Sequence, residues 1–156
     1  MAGSLVLVDK FTVSSGVSSV TIGGGSSGSS SYNFAIDSTY NVYKLIISGL
    51  EADTDSSTVQ IRVTKSGTAQ TDSEYDEATM QLKAYNTFTN DTGANATFWD
   101  FNQIGTTSGS TFDLTAYLFN FANASEYSFA TFEAATSDTT IDFRGNQGGG
   151  VHTVAS

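Results

Sequence analysis

Thr58-Val59-Gln60-Ile61-Arg62-Val63-Thr64-Lys65 alternates apolar and polar side chains without a break. An extended chain turns successive side chains to opposite faces, so Val59, Ile61 and Val63 point into a core while Gln60, Arg62 and Thr64 face solvent. That two-residue period recurs on both sides of the stretch. Residues 5–13, 17–22, 42–47, 112–121, 127–132 and 141–143 are short runs rich in β-branched and aromatic side chains, each bounded by Gly, Ser, Asn or Asp. Residues 72–84 come closest to a helical pattern, yet Thr79, Gln81 and Lys83 alternating with Met80, Leu82 and Ala84 fit a strand better. The expectation is an all-β fold, an antiparallel sandwich of jelly-roll-like form with about eight to ten strands. With 156 residues the chain reads as one domain, 1–156.

One run carries more than the others. Along residues 112–121, Leu114, Ala116, Leu118 and Asn120 fall on one face and Thr115, Tyr117, Phe119 and Phe121 on the other. Both faces are bulky and apolar, so this strand is expected to be central or covered by a neighbouring chain. Residues 23–31, Gly and Ser throughout, read as a flexible loop, and 86–96 and 105–111 as softer connections. The chain has no proline, so edge protection must come from charge, bulges or neighbours. Near the end, Gly148-Gly149-Gly150 precedes what reads as an incomplete strand over 151–156. Either a neighbour supplies its partner or the chain is a portion of a longer one.

The net charge is −10 with six Lys and Arg, which opposes nucleic-acid and anionic-membrane partners because both attract a cationic footprint. Only 14% of residues are charged; 22 Ser and 22 Thr take their place and give a hydroxyl-rich surface suited to contact with proteins or sugars. The absence of cysteine removes disulfides and thiolate metal sites. Met1-Ala2-Gly3-Ser4 has no basic lead, and residues 5–8 are too short an apolar stretch for a signal peptide or a membrane span.

Few groups offer chemistry. His152 is the one histidine, placed near an end expected to be mobile, so a nucleophilic triad around it and a zinc site both lack partners. Glu74, Asp76 and Glu77 are the carboxylates from which an acid and base pair for glycoside hydrolysis would be drawn; a solvated acidic turn is the simpler reading. Asp53 and Asp55 form a fragment of a calcium loop without its remaining ligands, and fit an Asx-capped turn better. The glycine tracts lack the following Lys-Ser or Lys-Thr of a phosphate loop. Sequons at Asn90, Asn95 and Asn123 are ordinary in an Asn- and Thr-rich chain. Catalytic, cofactor and metal residues are therefore expected to be none. The aromatic residues remain: Trp99, Tyr75 and Tyr85 lie in or beside polar stretches, where an exposed ring would stack on a glycan or a neighbouring subunit, with Trp99 in Phe98-Trp99-Asp100-Phe101 serving equally as a core anchor.

Thr39-Tyr40-Asn41-Val42-Tyr43-Lys44-Leu45-Ile46-Ile47-Ser48-Gly49-Leu50, Ile61-Arg62-Val63, the stretch from Tyr117 to Tyr127 and Arg144-Gly145-Asn146-Gln147-Gly148-Gly149-Gly150 resemble the small virion structural proteins of tailed bacteriophages, particularly marine ones. The resemblance spans most of the chain in strand phrases and turns and marks no active site. It implies a tail-fibre, appendage or capsid-decoration component, homo-oligomeric, in contact with other virion structural proteins and with host surface glycans as a further partner, assembled in the host cytoplasm. Relatives commonly continue past the Gly-rich phrase into further strands, from which the end at Ser156 departs.

Overall fold

The computed structural model describes residues 5–8, 10, 12–13, 16–22, 36–85, 87–137 and 142–155. Among them are ten strands and no helix: β1 (Val42–Leu50), β2 (Ser57–Ile61), β3 (Thr64–Lys65), β4 (Thr68–Ala69), β5 (Tyr75–Lys83), β6 (Thr89–Ala96), β7 (Trp99–Ile104), β8 (Phe112–Phe119), β9 (Ser128–Ser137) and β10 (Phe143–His152). Six form an antiparallel sheet in the order β1-β8-β9-β10-β5-β6. The β2-β7 pair forms a second, smaller layer, and β3-β4 is a separate hairpin. The chain passes from the large sheet to the small one after β1 and again after β6, returning each time. This alternation between layers makes an antiparallel β-sandwich.

The alternation in 58–65 holds. Val63 is buried, Val59 and Ile61 pack against the core, and Gln60 and Arg62 are exposed. The β3-β4 hairpin turns on Ser66 and Gly67, both at positive φ (49° and 78°), the mirror-image turn whose twist matches antiparallel strands. In the large sheet Tyr43, Leu45 and Ile47 of β1, Phe112, Leu114 and Ala116 of β8, and Ala130 and Phe132 of β9 point to one side. Trp99, Phe101 and Ile104 of β7 close over that side, with Phe101 edge-on to Phe132 at 4.3 Å between ring centroids.

Several connections differ from the sequence reading. Residues 89–96 are not a soft connection but strand β6; they hold almost no apolar side chains and are extended because β5 supplies the ladder. The described residues of 5–13 and 17–22 lie outside every strand, with Leu5, Leu7, Val17 and Ile22 exposed. The Gly/Ser segment 23–31 lies outside the described residues.

The triple glycine is inside a strand rather than before one. β10 runs from Phe143 to His152 with β9 on one side and β5 on the other, so Val151 and His152 are paired on both edges. A Cβ on Gly150 would stand 2.5 Å from the Trp99 indole nitrogen and 2.8 Å from the Asp76 carbonyl, and one on Gly149 2.8 Å from the Ala130 carbonyl. Glycine is required at 150 because the Trp99 indole stands where a side chain would project, and at 149 because the Ala130 carbonyl does.

Candidate functional surface

Tyr75 and Trp99, two of the three aromatic contact candidates, are fully buried at 0% exposure. They meet edge to face with centroids 5.5 Å apart, and Trp99 reaches Phe121 at 6.2 Å. The Tyr75 hydroxyl accepts from the Val63 amide and donates to the Gln70 carbonyl, both at 3.0 Å, tying the β2–β4 segment to the large sheet. Burial pushes the Tyr75 phenol above its ordinary range. A ring held this way cannot stack on a sugar, so these two residues are core and not a glycan surface. Tyr85 is exposed, with the Arg144 guanidinium 5.8 Å from its ring centroid.

His152 is also buried at 0% exposure, which overturns its expected place at a mobile end. It packs on the Tyr75 ring at 4.8 Å. Nδ1 lies 3.0 Å from the Val154 carbonyl, and Nε2 stands 3.1 Å from Glu74 Oε2, close enough for an ion pair though not aligned as a hydrogen bond. Both nitrogens are thus turned to fixed oxygen atoms and neither faces a nucleophile. The segment beyond is tied down: Thr153 donates its amide and hydroxyl to the Glu74 carbonyl, at 2.8 and 3.1 Å, and Lys65 Nζ donates to the Ala155 carbonyl at 2.6 Å.

The three neighbouring carboxylates are separated by the strand itself. Glu74 turns to His152. Asp76 accepts the Asn95 amide at 2.8 Å, and Glu77, one residue on and therefore on the opposite face, accepts the Asp100 amide at 2.8 Å. Burial, with Asp100 and Asp91 nearby, raises the Glu77 carboxyl to about 7. Asp76 and Glu77 do not converge on a shared cleft. Asp55 accepts the Thr106 amide at 3.1 Å, which pins the β7–β8 connection rather than a cation. Among the described residues no three His, Cys, Asp or Glu side chains gather closely enough to hold a metal ion.

What the molecule presents instead is the other face of the large sheet. The register places Val42, Phe119, Phe129 and Val151 side by side across β1, β8, β9 and β10, an apolar stripe four strands wide. Ile46, Tyr117, Phe143 and Met80 extend it on the same face, all exposed. Its polar groups are paired within the sheet: Lys44 Nζ sits 5.6 Å from the Tyr117 ring centroid, and Gln147 Nε2 donates to Glu133 Oε1 at 3.2 Å. A shallow groove of about 510 Å³ crosses the face, lined by Ile46, Ser48, Leu82, Asp113, Glu133 and Gln147 among others. Sequence reasoning named none of these as contact residues, although the two-sided apolar character of 112–121 was the signal that could have found them.

Comparison with family models, with curated proteins and with solved structures gives no match.

Proposed function

We propose that this chain is a structural protein of a tailed-phage virion, a tail-fibre, appendage or capsid-decoration subunit that works by packing against other copies of itself. The observation that carries the self-packing is the outer face of the six-stranded sheet, exposed among the described residues, with its stripe from Val42 to Val151. Sheets with one wet face normally carry polar side chains there. Here Phe129, Tyr117 and Ile46 stand where Thr, Lys or Glu would serve a monomer.

Size supports the same reading. Six strands about 4.8 Å apart and about nine residues long at ~3.3 Å each present a face on the order of 700 Å², close to the roughly 800 Å² that each partner contributes to a stable interface. A second copy is favoured as the occupant because Phe129, Tyr117 and Ile46 expose apolar area at the middle of the face while Lys44 and Glu133 are each held against a neighbouring side chain, which leaves apolar contact as the main attraction. The virion assignment itself is supported by the resemblance of the strand phrases.

Two measurements test it. Light scattering coupled to size exclusion should give an oligomer for the native chain and a monomer for Phe129→Asp, with far-UV circular dichroism unchanged. Mass spectrometry and cryo-EM of the purified particle should find the chain in stoichiometric amount; a monomeric native protein overturns the packing, and absence from the particle overturns the virion role.

A further inference from the structure

His152 is a titratable side chain enclosed by the fold and unused by the outer face. It is the chain's one histidine and is 0% exposed. It ends β10 between two strands: Ser128 of β9 is its cross-strand neighbour on one side and Tyr75 of β5 on the other, with the Tyr75 and His152 ring centroids 4.8 Å apart.

The two ring nitrogens face oxygen atoms of different kinds. Nδ1 lies 3.0 Å from the Val154 carbonyl, which can only accept, so Nδ1 carries a hydrogen. A neutral imidazole has one N–H, and that placement leaves a lone pair on Nε2. Nε2 stands 3.1 Å from Glu74 Oε2; both atoms are closed off from solvent, and neither has a hydrogen bond to another group among the described residues. A lone pair facing a carboxylate in a dry site is repulsive, and a proton on Nε2 makes the same contact attractive. The Glu74 side chain is 22% exposed, so its charge stays partly hydrated while the enclosed ring supplies the proton.

The other charged and titratable groups nearby are turned elsewhere. The Tyr75 phenol is bonded to the Val63 amide and the Gln70 carbonyl. Lys65 on β3 donates to the Ala155 carbonyl, and Arg62 donates to the Thr97 carbonyl with its guanidinium over the Phe98 ring. Asp76, beside Glu74 in sequence and opposite Val151, accepts the Asn95 amide. Ser128 on β9 carries no charge. Glu74 is the carboxylate that meets the ring.

We infer that the fold holds His152 as an imidazolium paired with Glu74, and that this buried proton latches the end of β10 to β5 and β3. Glu74 is tied to the tail twice, by its carboxylate through His152 and by its carbonyl through the amide and hydroxyl of Thr153, at 2.8 and 3.1 Å. Lys65 then joins Ala155 to the β3-β4 hairpin. When the proton leaves, the contact at the centre of this set turns repulsive and residues 152–155 loosen. The latch is therefore closed where the proton is bound and opens as the pH rises. It lies inside the sandwich, apart from the outer-face packing of the proposed function.

A single histidine makes the test direct, because nitrogen NMR of the full chain reads its ring without ambiguity. At about pH 7.5, where an exposed imidazole is mostly neutral, Nδ1 and Nε2 should each show a directly bonded hydrogen. Raising the pH to about 9 should lower the hydrogen-exchange protection factor of the Thr153 amide while those of β8 stay constant. Glu74→Gln offers a side-chain N–H to a neutral Nε2, so its ring should show one N–H at the lower pH and its Thr153 protection should no longer depend on pH. A native ring with hydrogen on Nδ1 alone at about pH 7.5 overturns the inference, whether or not the variant folds. So does native Thr153 protection that stays level as the pH is raised.

Discussion

The two faces of the six-stranded sheet are made of similar residues and meet different fates. On β9, Phe132 points inward, is 3% exposed and packs edge-on against Phe101; Phe129, three residues earlier, points outward and is 44% exposed. On β1, Leu45 and Ile47 pack against the core while Ile46 between them is 63% exposed. Hydrophobicity alone therefore does not decide what is core in this chain. The inner face is a core because β7 crosses it, bringing Trp99 and Phe101 down onto β10 and β9. The outer face has no such layer among the described residues.

That contrast is sharpest as a stability measurement. Phe132→Ala should lower the unfolding free energy by about 3–5 kcal/mol, the cost of lost transfer energy plus a cavity in a packed core. Phe129→Ala, measured on the dissociated monomer, should change it by no more than about 0.5 kcal/mol, because its ring is solvated in the native state. Urea denaturation at low protein concentration reads both values. Equal losses would mean that the outer face is packed within one chain, and the distinction between the faces would fail.

How much of this was legible beforehand follows from the same physics. The period of two in 58–65 and 112–119 was visible because one face of each strand is buried by its own chain, and burial is what imprints alternation. Strand β6 was not visible: Thr-Asn-Asp-Thr-Gly-Ala-Asn-Ala has no apolar period, and β5 alone makes it extended. Residues 5–13 were misleading in the opposite way: they have a strand's pattern, and the described ones lie in no strand. The glycine tract read as an interruption because nothing local reveals that an indole 50 residues away lies across it. Burial of His152 was equally hidden, since β9 and β5, which enclose it, begin at residues far apart in sequence. The outer-face stripe was half legible, in β8, and needed the register of four strands to assemble.

The inner face has a polar end as well as an apolar one, and a pH measurement separates them. Glu77 on β5 points inward but is only partly enclosed, and its carboxyl titrates at about 7 instead of the ordinary 4.5, chiefly through burial. Such a carboxyl binds its proton more tightly in the fold than in the unfolded chain. Its contribution to stability is thus complete below pH 4.5 and is lost as the pH rises through about 7. Glu77→Gln keeps an oxygen for the Asp100 amide and removes the charge. The variant should melt higher than the native chain at pH 8, by roughly 2–4 °C once the solvated half of the side chain is allowed for, and no higher at pH 4. A constant difference between the two proteins across that range would show that the site does not titrate with folding.

The smallest effect expected lies at the far end of β1, the terminal strand of the large sheet. Gly49 takes φ +65° where β1 bulges against β8, and Asp113 holds the bulge by accepting the Gly49 amide at 3.0 Å and the Ser48 hydroxyl at 2.9 Å. Those bonds favour the charged carboxylate and hold the Asp113 carboxyl below its ordinary value. Asp113→Ala removes the acceptor and should cost about 1 kcal/mol near neutral pH, the net worth of an ordinary hydrogen bond. A carboxyl lowered in the fold stabilises above its unfolded value of 3.8 and loses that contribution as the pH falls through the folded one, so the gap between native and variant should close under acid conditions. The bulge ends the straight part of β1 at Ile47, and loosening it should let the far end of the edge fray, read as faster amide exchange at Gly49 and Leu50 with β9 and β10 unaffected. Protection that falls evenly across all six strands would instead make Asp113 a support of the whole sheet, and β1 would no longer be an edge with its own local stability.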